Sequence, residues 1–346
     1  MLSAAEKLMS GKAGAVLAAD IIPTLLIKVT SPYWTHFFSY RFRTWFNGVA
    51  LIASFYVVAT ATTTAMKLFG VVLASIGAGW GEVSFLALTA FHPPDVINGW
   101  SSGTGFAGIA GAGWFYVLNG ALKVAPRTTL YIGGVFGIMY ILAYEFCIAP
   151  KASATRSGYV SATATQAPQA SAQSSDITQT LTARQRFRQT VALWRFMVPM
   201  FAVYFLEYFA NAGVHSTLAF HSTSKSTYYE AAGLAYQVGV FISRSSGPWI
   251  KLSVLWPLPL GQAVLVSFFV LQALFQLSGS VWLLLLLVVV EGLFGGFLYV
   301  NAFRLIRETV PPELREYSLG AASVADTCGI VLAAMASLAS GAFSCS

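Results

Sequence analysis

Ten stretches of about twenty residues, each nearly free of charge, recur along this chain. A stretch of that length wound as an α-helix rises about 30 Å, the thickness of the hydrocarbon core of a bilayer. The candidate spans are 13–30, 46–66, 68–91, 101–122, 128–149, 193–213, 229–246, 253–276, 281–303 and 318–343. Lipid offers backbone amides no partner, so each span must satisfy its own hydrogen bonds as a helix. The expected fold class is therefore all-α, a polytopic transmembrane helical bundle embedded in membrane lipid. Only 10% of the residues are charged and 56% are hydrophobic, against about 25% and 45–50% in soluble domains. With so little soluble chain, the net charge of +7 does not mark a nucleic-acid surface. Cys147, Cys328 and Cys345 have no paired spacing and suggest neither a disulfide framework nor a zinc site. Residues 1–12 lack the apolar core of a cleavable leader, and the chain carries no Asn-x-Ser/Thr sequon.

Residues 150–190 break the pattern, being rich in Ala, Ser, Thr and Gln with few large apolar side chains. Such a composition cannot bury a core and is expected to be disordered. It separates an N-terminal membrane half, 1–149, from a C-terminal half, 191–346, and reads as a cytosolic linker open to protein partners. Alternating outward from it, the cytosolic side holds fourteen Lys and Arg residues, among them Lys28, Arg43, Arg186, Arg244 and Arg304, and the other side holds six. That asymmetry fits the positive-inside bias and puts both termini on the non-cytosolic side. The halves echo each other through Gly77-Ala78-Gly79-Trp80-Gly81-Glu82 and Glu291-Gly292-Leu293-Phe294-Gly295-Gly296. The two align only if one span is missing from the start of the first half. Parallel repeats of this kind are typical of the major facilitator architecture.

Five acids fall inside apolar runs: Asp20, Glu82, Glu207, Glu291 and Asp326. An ionised carboxylate at mid-membrane costs at least ~2.5–3.5 kcal/mol on insertion scales, so each needs a partner, water or a proton. Glu82, Glu207 and Glu291 are candidates for a water-filled solute or proton path. Asp20 and Asp326, nearer helix ends or small-residue faces, suit structural hydrogen bonds. Tyr204, Glu207, Tyr208 and Asn211 share one helix face, a polar stripe that should look into a cavity or, failing that, form an aromatic packing face. Arg244 ends a span, as either a snorkelling anchor or an anion contact or gate clasp. His36, His92, His215 and His221 form no metal-ligand pair, and His215 and His221 are read as loop residues that would charge in an acidic compartment. Glycines 103, 105, 108, 111 and 113 suit close helix packing rather than a phosphate loop. No hydrolase motif presents itself, so neither an enzyme, a cofactor nor a metal is expected.

Six blocks stand out: Ala18-Ala19-Asp20-Ile21-Ile22-Pro23-Thr24-Leu25-Leu26-Ile27-Lys28, Glu82-Val83-Ser84-Phe85-Leu86-Ala87-Leu88-Thr89 with Trp100-Ser101-Ser102-Gly103-Thr104-Gly105, Tyr204-Phe205-Leu206-Glu207-Tyr208-Phe209, Tyr236-Gln237-Val238-Gly239-Val240-Phe241-Ile242-Ser243-Arg244-Ser245-Ser246, Glu291-Gly292-Leu293-Phe294-Gly295-Gly296 with Tyr299-Val300-Asn301, and Asp326-Thr327-Cys328-Gly329-Ile330. Together they resemble the battenin family. The resemblance covers nearly the whole chain. It implies a lysosomal or vacuolar membrane protein with a major-facilitator-like bundle of eleven spans. It further implies roles in lumenal pH homeostasis, in basic amino acid transport in fungi, and in clearing glycerophosphodiesters in animals. Three departures stand out. The family has a further span upstream of Met1, the luminal loop at 6–12 is short, and a C-terminal prenylation-type box is absent after Cys345.

These readings converge on a transporter of small solutes, with protons as a second passenger, working by alternating access between two bundles. Its central cavity would be lined by Glu82, Tyr204, Glu207, Asn211, Gln237, Glu291 and Asn301, with Lys28 and Arg244 at cytosolic gates or on an anionic group. The alternative is a non-transporting membrane scaffold that regulates vacuolar trafficking or a proton pump through the 150–190 linker.

Overall fold

A computed structural model describes residues 13–149, 182–218 and 225–344. Most of the expected linker, 150–181, lies outside the described residues, as do His221 and Cys345. The described chain is all-helical. In order, α1 is Ala13–Trp34, α2 Tyr40–Thr60, α3 Thr64–Leu88, α4 Val96–Phe115, α5 Pro126–Gly133, α6 Val135–Ala143, α7 Ala183–Ala192, α8 Trp194–Phe209, α9 Lys225–Ser245, α10 Pro257–Phe275, α11 Val281–Thr309, α12 Pro312–Ala322 and α13 Val324–Ser344. Wider π-type turns, Tyr116–Ala121, Tyr144–Ile148 and Ala210–Val214, extend α4, α6 and α8.

Among the described residues, seven helical stretches are long and apolar enough to cross a membrane: Tyr40–Thr60, Thr64–Phe91, Pro126–Ile148, Trp194–Val214, Pro257–Phe275, Val281–Thr309 and Pro312–Ser337. The other expected spans, 13–30, 101–122 and 229–246, fall on α1, α4 with its π-type turn, and α9.

Three boundaries differ from expectation, each for a local reason. The span expected at 46–66 starts at Tyr40 and stops at Thr60. Ser39 caps its start by accepting from Phe42 N–H at 3.3 Å, and Thr63 caps the next helix by accepting from Met66 N–H at 3.3 Å. The span expected at 318–343 is two helices parted at Ser323, whose hydroxyl turns back to donate to Gly320 O at 2.9 Å. Composition predicted disorder as far as residue 190, yet Ala183–Ala192 is a helix, started by Thr182 and Gln185 bonding to each other and anchored by a buried Arg186.

The described residues pack as two compact units. Unit 1 comprises Met1–Pro93, Gly111–Ala192 and Thr309–Ser323, and unit 2 comprises Pro94–Ala110, Leu193–Glu308 and Val324–Ser346. Within unit 1, Val16, Val58, Ala59, Val71 and Leu130 form a sealed apolar cluster. Pro23 lies inside α1 and removes one of its backbone donors, and side chains take up the disturbed backbone. Thr24 N–H donates to Ser75 Oγ at 3.0 Å, and the hydroxyls of Thr24 and Ser75 both donate to Asp20 O. Within unit 2, Ala210, Val214, Tyr228, Phe269, Leu284 and Val288 belong to one buried cluster that joins α8, α9, α10 and α11. At Gly292 the backbone of α11 approaches that of α9 so closely that a Cβ would collide with Tyr236 O.

Candidate functional site

Unit 2 gathers most of the polar residues expected to matter. Glu207 of α8, Asn211 of its π-type turn and His215, which caps that turn, follow one another at intervals of four residues. Glu291 comes from α11, and Tyr228 and Tyr236 come from α9.

Glu291 is fully sealed at 0% exposure, with His215 at 1% and Glu207 at 1%. Both Glu291 oxygens are engaged. Oε2 lies 3.0 Å from His215 Nε2, and Oε1 accepts from Asn211 Nδ2 at 3.3 Å. His215 Nδ1 in turn faces the Tyr228 hydroxyl at 3.4 Å, and its ring stands edge-on to Phe269, 4.6 Å between centroids. Contacts on both ring nitrogens fix the imidazole's orientation. Glu207 Oε1 accepts from Tyr236 OH, whereas its buried Oε2 has no hydrogen-bond partner among the described residues. The carboxylate fits there because residue 295 is a glycine; any Cβ would run into Glu207 Oε2.

A cationic pole belongs to the same unit. Arg244 Nη1 donates to Thr104 Oγ1 at 2.8 Å, Nη2 donates to Tyr204 OH at 2.7 Å, and the guanidinium lies 4.0 Å above the Tyr299 ring. Trp100 Nε1 donates to Tyr299 OH at 3.1 Å and holds that ring in place. Tyr204 sits one turn from Glu207 on α8, so the acidic and basic poles are neighbours along one helix.

The remaining residues singled out from sequence lie elsewhere. Gln237 packs its amide against Gly108. Asn301 Oδ1 accepts from Leu252 N–H at 2.8 Å and from Arg304 Nη2 at 3.2 Å, and Nδ2 donates to Phe297 O at 2.9 Å, so this amide fastens a loop to α11. Glu82 belongs to unit 1, where Oε2 pairs with Lys28 Nζ at 2.7 Å; Lys28 is 2% exposed. Asp20 offers its backbone carbonyl to Thr24 and Ser75. Asp326 Oδ1 accepts from Thr327 Oγ1 at 2.8 Å in the first turn of α13. Among the described residues no group of three His, Cys, Asp or Glu could hold a metal ion.

His215 differs most from its expected setting. It stands in the turn just after Val214, yet it is a buried partner of an acid rather than an exposed residue. Ending the span at 213 hid it, although the spacing 207, 211, 215 was there to be followed. Tyr228, Tyr236 and Tyr299 gave no comparable signal, because an aromatic hydroxyl within an apolar run looks like packing.

The chain matches the family model described as CLN3 protein over residues 1–346. Protein BTN1 of Yarrowia lipolytica is 37% identical over 334 residues, covering 93% of this chain and 84% of that protein. Battenin of Canis lupus familiaris is 35% identical over 337 residues, covering 96% and 77%. Among solved structures, a bacterial homologue of the iron transporter ferroportin in an outward-facing state has a TM-score of 0.62 at 15% identity, covering 96% of this chain and 85% of that one. The human organic anion transporter MFSD10 (TETRAN) has a TM-score of 0.55 at 16% identity, covering 94% and 79%. At such identities the likeness is one of fold, and it is to transporters of the major facilitator type.

Proposed function

Since the chain belongs to the CLN3 protein family, we propose that it is a proton-coupled carrier of small solutes. It is a multi-pass protein of the lysosomal or vacuolar membrane with a major-facilitator-like fold. In the proposed mechanism it exports basic amino acids or glycerophosphodiesters by alternating access and so takes part in lumenal pH homeostasis.

One observation carries the proposal: Glu207 and Glu291 are both sealed within unit 2, and Glu207 keeps one oxygen without a hydrogen-bond partner among the described residues. A hydrocarbon setting penalises each ionised carboxylate by at least ~2.5–3.5 kcal/mol. A purely structural acid would satisfy both oxygens. An acid with an open oxygen is suited to take up a proton or a cationic group when solvent reaches it. His215, Asn211 and Tyr236 hold the two carboxylates in place and offer hydrogen-bonded neighbours for proton movement.

The poles of the cluster support the solute classes. A basic amino acid presents an ammonium suited to Glu207 and a carboxylate suited to Arg244 and Tyr204. A glycerophosphodiester would place its phosphate on Arg244, whose planar fork suits oxyanions. The test is uptake into vesicles carrying Glu207→Gln or Glu291→Gln. Both variants should reach the membrane and lose pH-dependent flux. Wild-type uptake in both removes the acids from the mechanism.

A further inference from the structure

We propose that Gln262 of α10 is a solute contact of unit 2, binding the guanidinium or ammonium of a basic amino acid together with Glu207. This role rests on the carrier reading of Glu207, and it separates the solute from the proton.

Gln262 is 0% exposed, and neither Oε1 nor Nε2 has a hydrogen-bond partner among the described residues. It lies in Pro257–Phe275, a helix apolar enough to cross a membrane. An amide buried there without hydrogen bonds is costly, whereas a leucine at 262 would extend the apolar face at no such cost. Gln262, Leu265, Val266 and Phe269 recur at helical spacing and are all buried, while Leu260, Val264 and Leu271 are exposed. The buried face looks towards α8. Leu265, Val266 and Phe269 share a core cluster with Ala210 and Val214, and the Phe269 ring lies 4.6 Å from that of His215.

Two levels along α11 and α8 fix the depth of Gln262. Seven residues before Phe269 lies Gln262, and seven before His215 lies Tyr208, the neighbour of Glu207. A Cβ at Gly261 would come within 2.8 Å of the Phe294 ring, and a Cβ at Gly295, the next residue of α11, would run into Glu207 Oε2. Both routes bring the start of α10 to the level of Glu207.

Glu207 Oε2 also lacks a hydrogen-bond partner among the described residues. A carboxylate oxygen and an amide carbonyl are both acceptors, so the pair suits a cation with several N–H donors, which can donate to both. A proton occupies one oxygen of Glu207 and makes no demand on Gln262, which does not titrate. An oxyanion would be repelled by the Glu207 carboxylate and belongs with Arg244. Gln262 therefore serves solute recognition alone, and Glu207 serves both passengers.

The test is arginine uptake by the full chain in proteoliposomes, comparing wild type, Gln262→Met and Glu207→Gln. Methionine keeps the length of the side chain and removes both polar atoms. Gln262→Met should raise KM for arginine about tenfold, with kcat within about twofold and the pH-gradient dependence kept. It should melt at or above the wild-type temperature, the opposite of what loss of a structural amide does. A map of the wild-type chain with arginine bound reads the same site without a variant, and a cationic group of the arginine should lie between Glu207 and Gln262. An unchanged KM in Gln262→Met, a melting temperature well below wild type, or arginine seated away from Gln262 overturns this role. Loss of gradient dependence in Glu207→Gln beside any of those results leaves the carrier reading standing without Gln262. A wild-type chain indifferent to arginine, in flux and in the map, removes both.

Discussion

His215 Nε2 lies 3.0 Å from Glu291 Oε2, and neither side chain reaches solvent. Removing one member of such a buried pair leaves the other uncompensated, at about 3–5 kcal/mol. His215→Leu and Glu291→Gln should each lower the melting temperature of the purified protein, with Glu291→Gln still folded at the temperature of the flux assay. The double variant should lose clearly less than the sum of the two, since contacting residues couple. Additive losses would show that the two groups do not stabilise each other.

The Lys28–Glu82 pair predicts an asymmetry. Lys28 is 2% exposed and Glu82 25%. Glu82→Gln takes the carboxylate away from a sealed ammonium and should cost about 3–5 kcal/mol. Lys28→Met leaves a carboxylate that water can reach, and should cost about half as much. Denaturation midpoints of the two variants check the order, and the reverse order contradicts the burial pattern.

Two glycines one turn apart should behave differently when changed to alanine. At Gly292 the added methyl meets Tyr236 O, so the backbones of α9 and α11 must separate and stability must fall. At Gly295 it meets the Glu207 carboxylate, the mobile end of a side chain. Gly295→Ala should therefore melt near wild type while losing most pH-dependent uptake. Thermal melts paired with flux measurements separate the two effects.

Burial, followed by the nearby guanidiniums of Arg186 and Arg43, holds the His36 imidazole below the ordinary histidine value. Protonation thus favours the unfolded chain. Stability is intact above the ordinary value of about 6.5 and declines as pH falls through the lowered folded value. Glu316 and Tyr317 line one cavity with His36, Arg43 and Arg186. Melting curves at pH 7.5 and about 5.5 should separate wild type from His36→Gln, the variant losing less on acidification.

The helical bundle was legible because lipid tolerates so few alternatives: a charge-poor run of twenty residues has one stable form in a bilayer. Helix ends were less so. Thr60 and Thr62 to Thr64 sit within an apolar pattern, yet their hydroxyls compete for the backbone and end α2 early. The stripe Tyr204, Glu207, Asn211 was visible in the helical repeat, as was the oddity of Glu291. Their partners were not. That Tyr236 meets Glu207, that Lys28 meets Glu82, and that Asn301 is engaged by Leu252 and Arg304 all depend on which helix packs against which. Side-chain periodicity fixes a helix's faces but not the neighbour each face finds. His215 is the exception, since its place four residues beyond Asn211 would have disclosed it had the span been carried one turn further.

The most direct test is flux into proteoliposomes under an imposed pH gradient, with labelled arginine and a labelled glycerophosphodiester offered in turn. The wild-type chain should carry at least one of them faster when the gradient is present, and Glu207→Gln, folded by its melting curve, should lose that dependence. Gradient-independent behaviour of the wild-type chain, or undiminished gradient-driven flux in Glu207→Gln, would contradict the account.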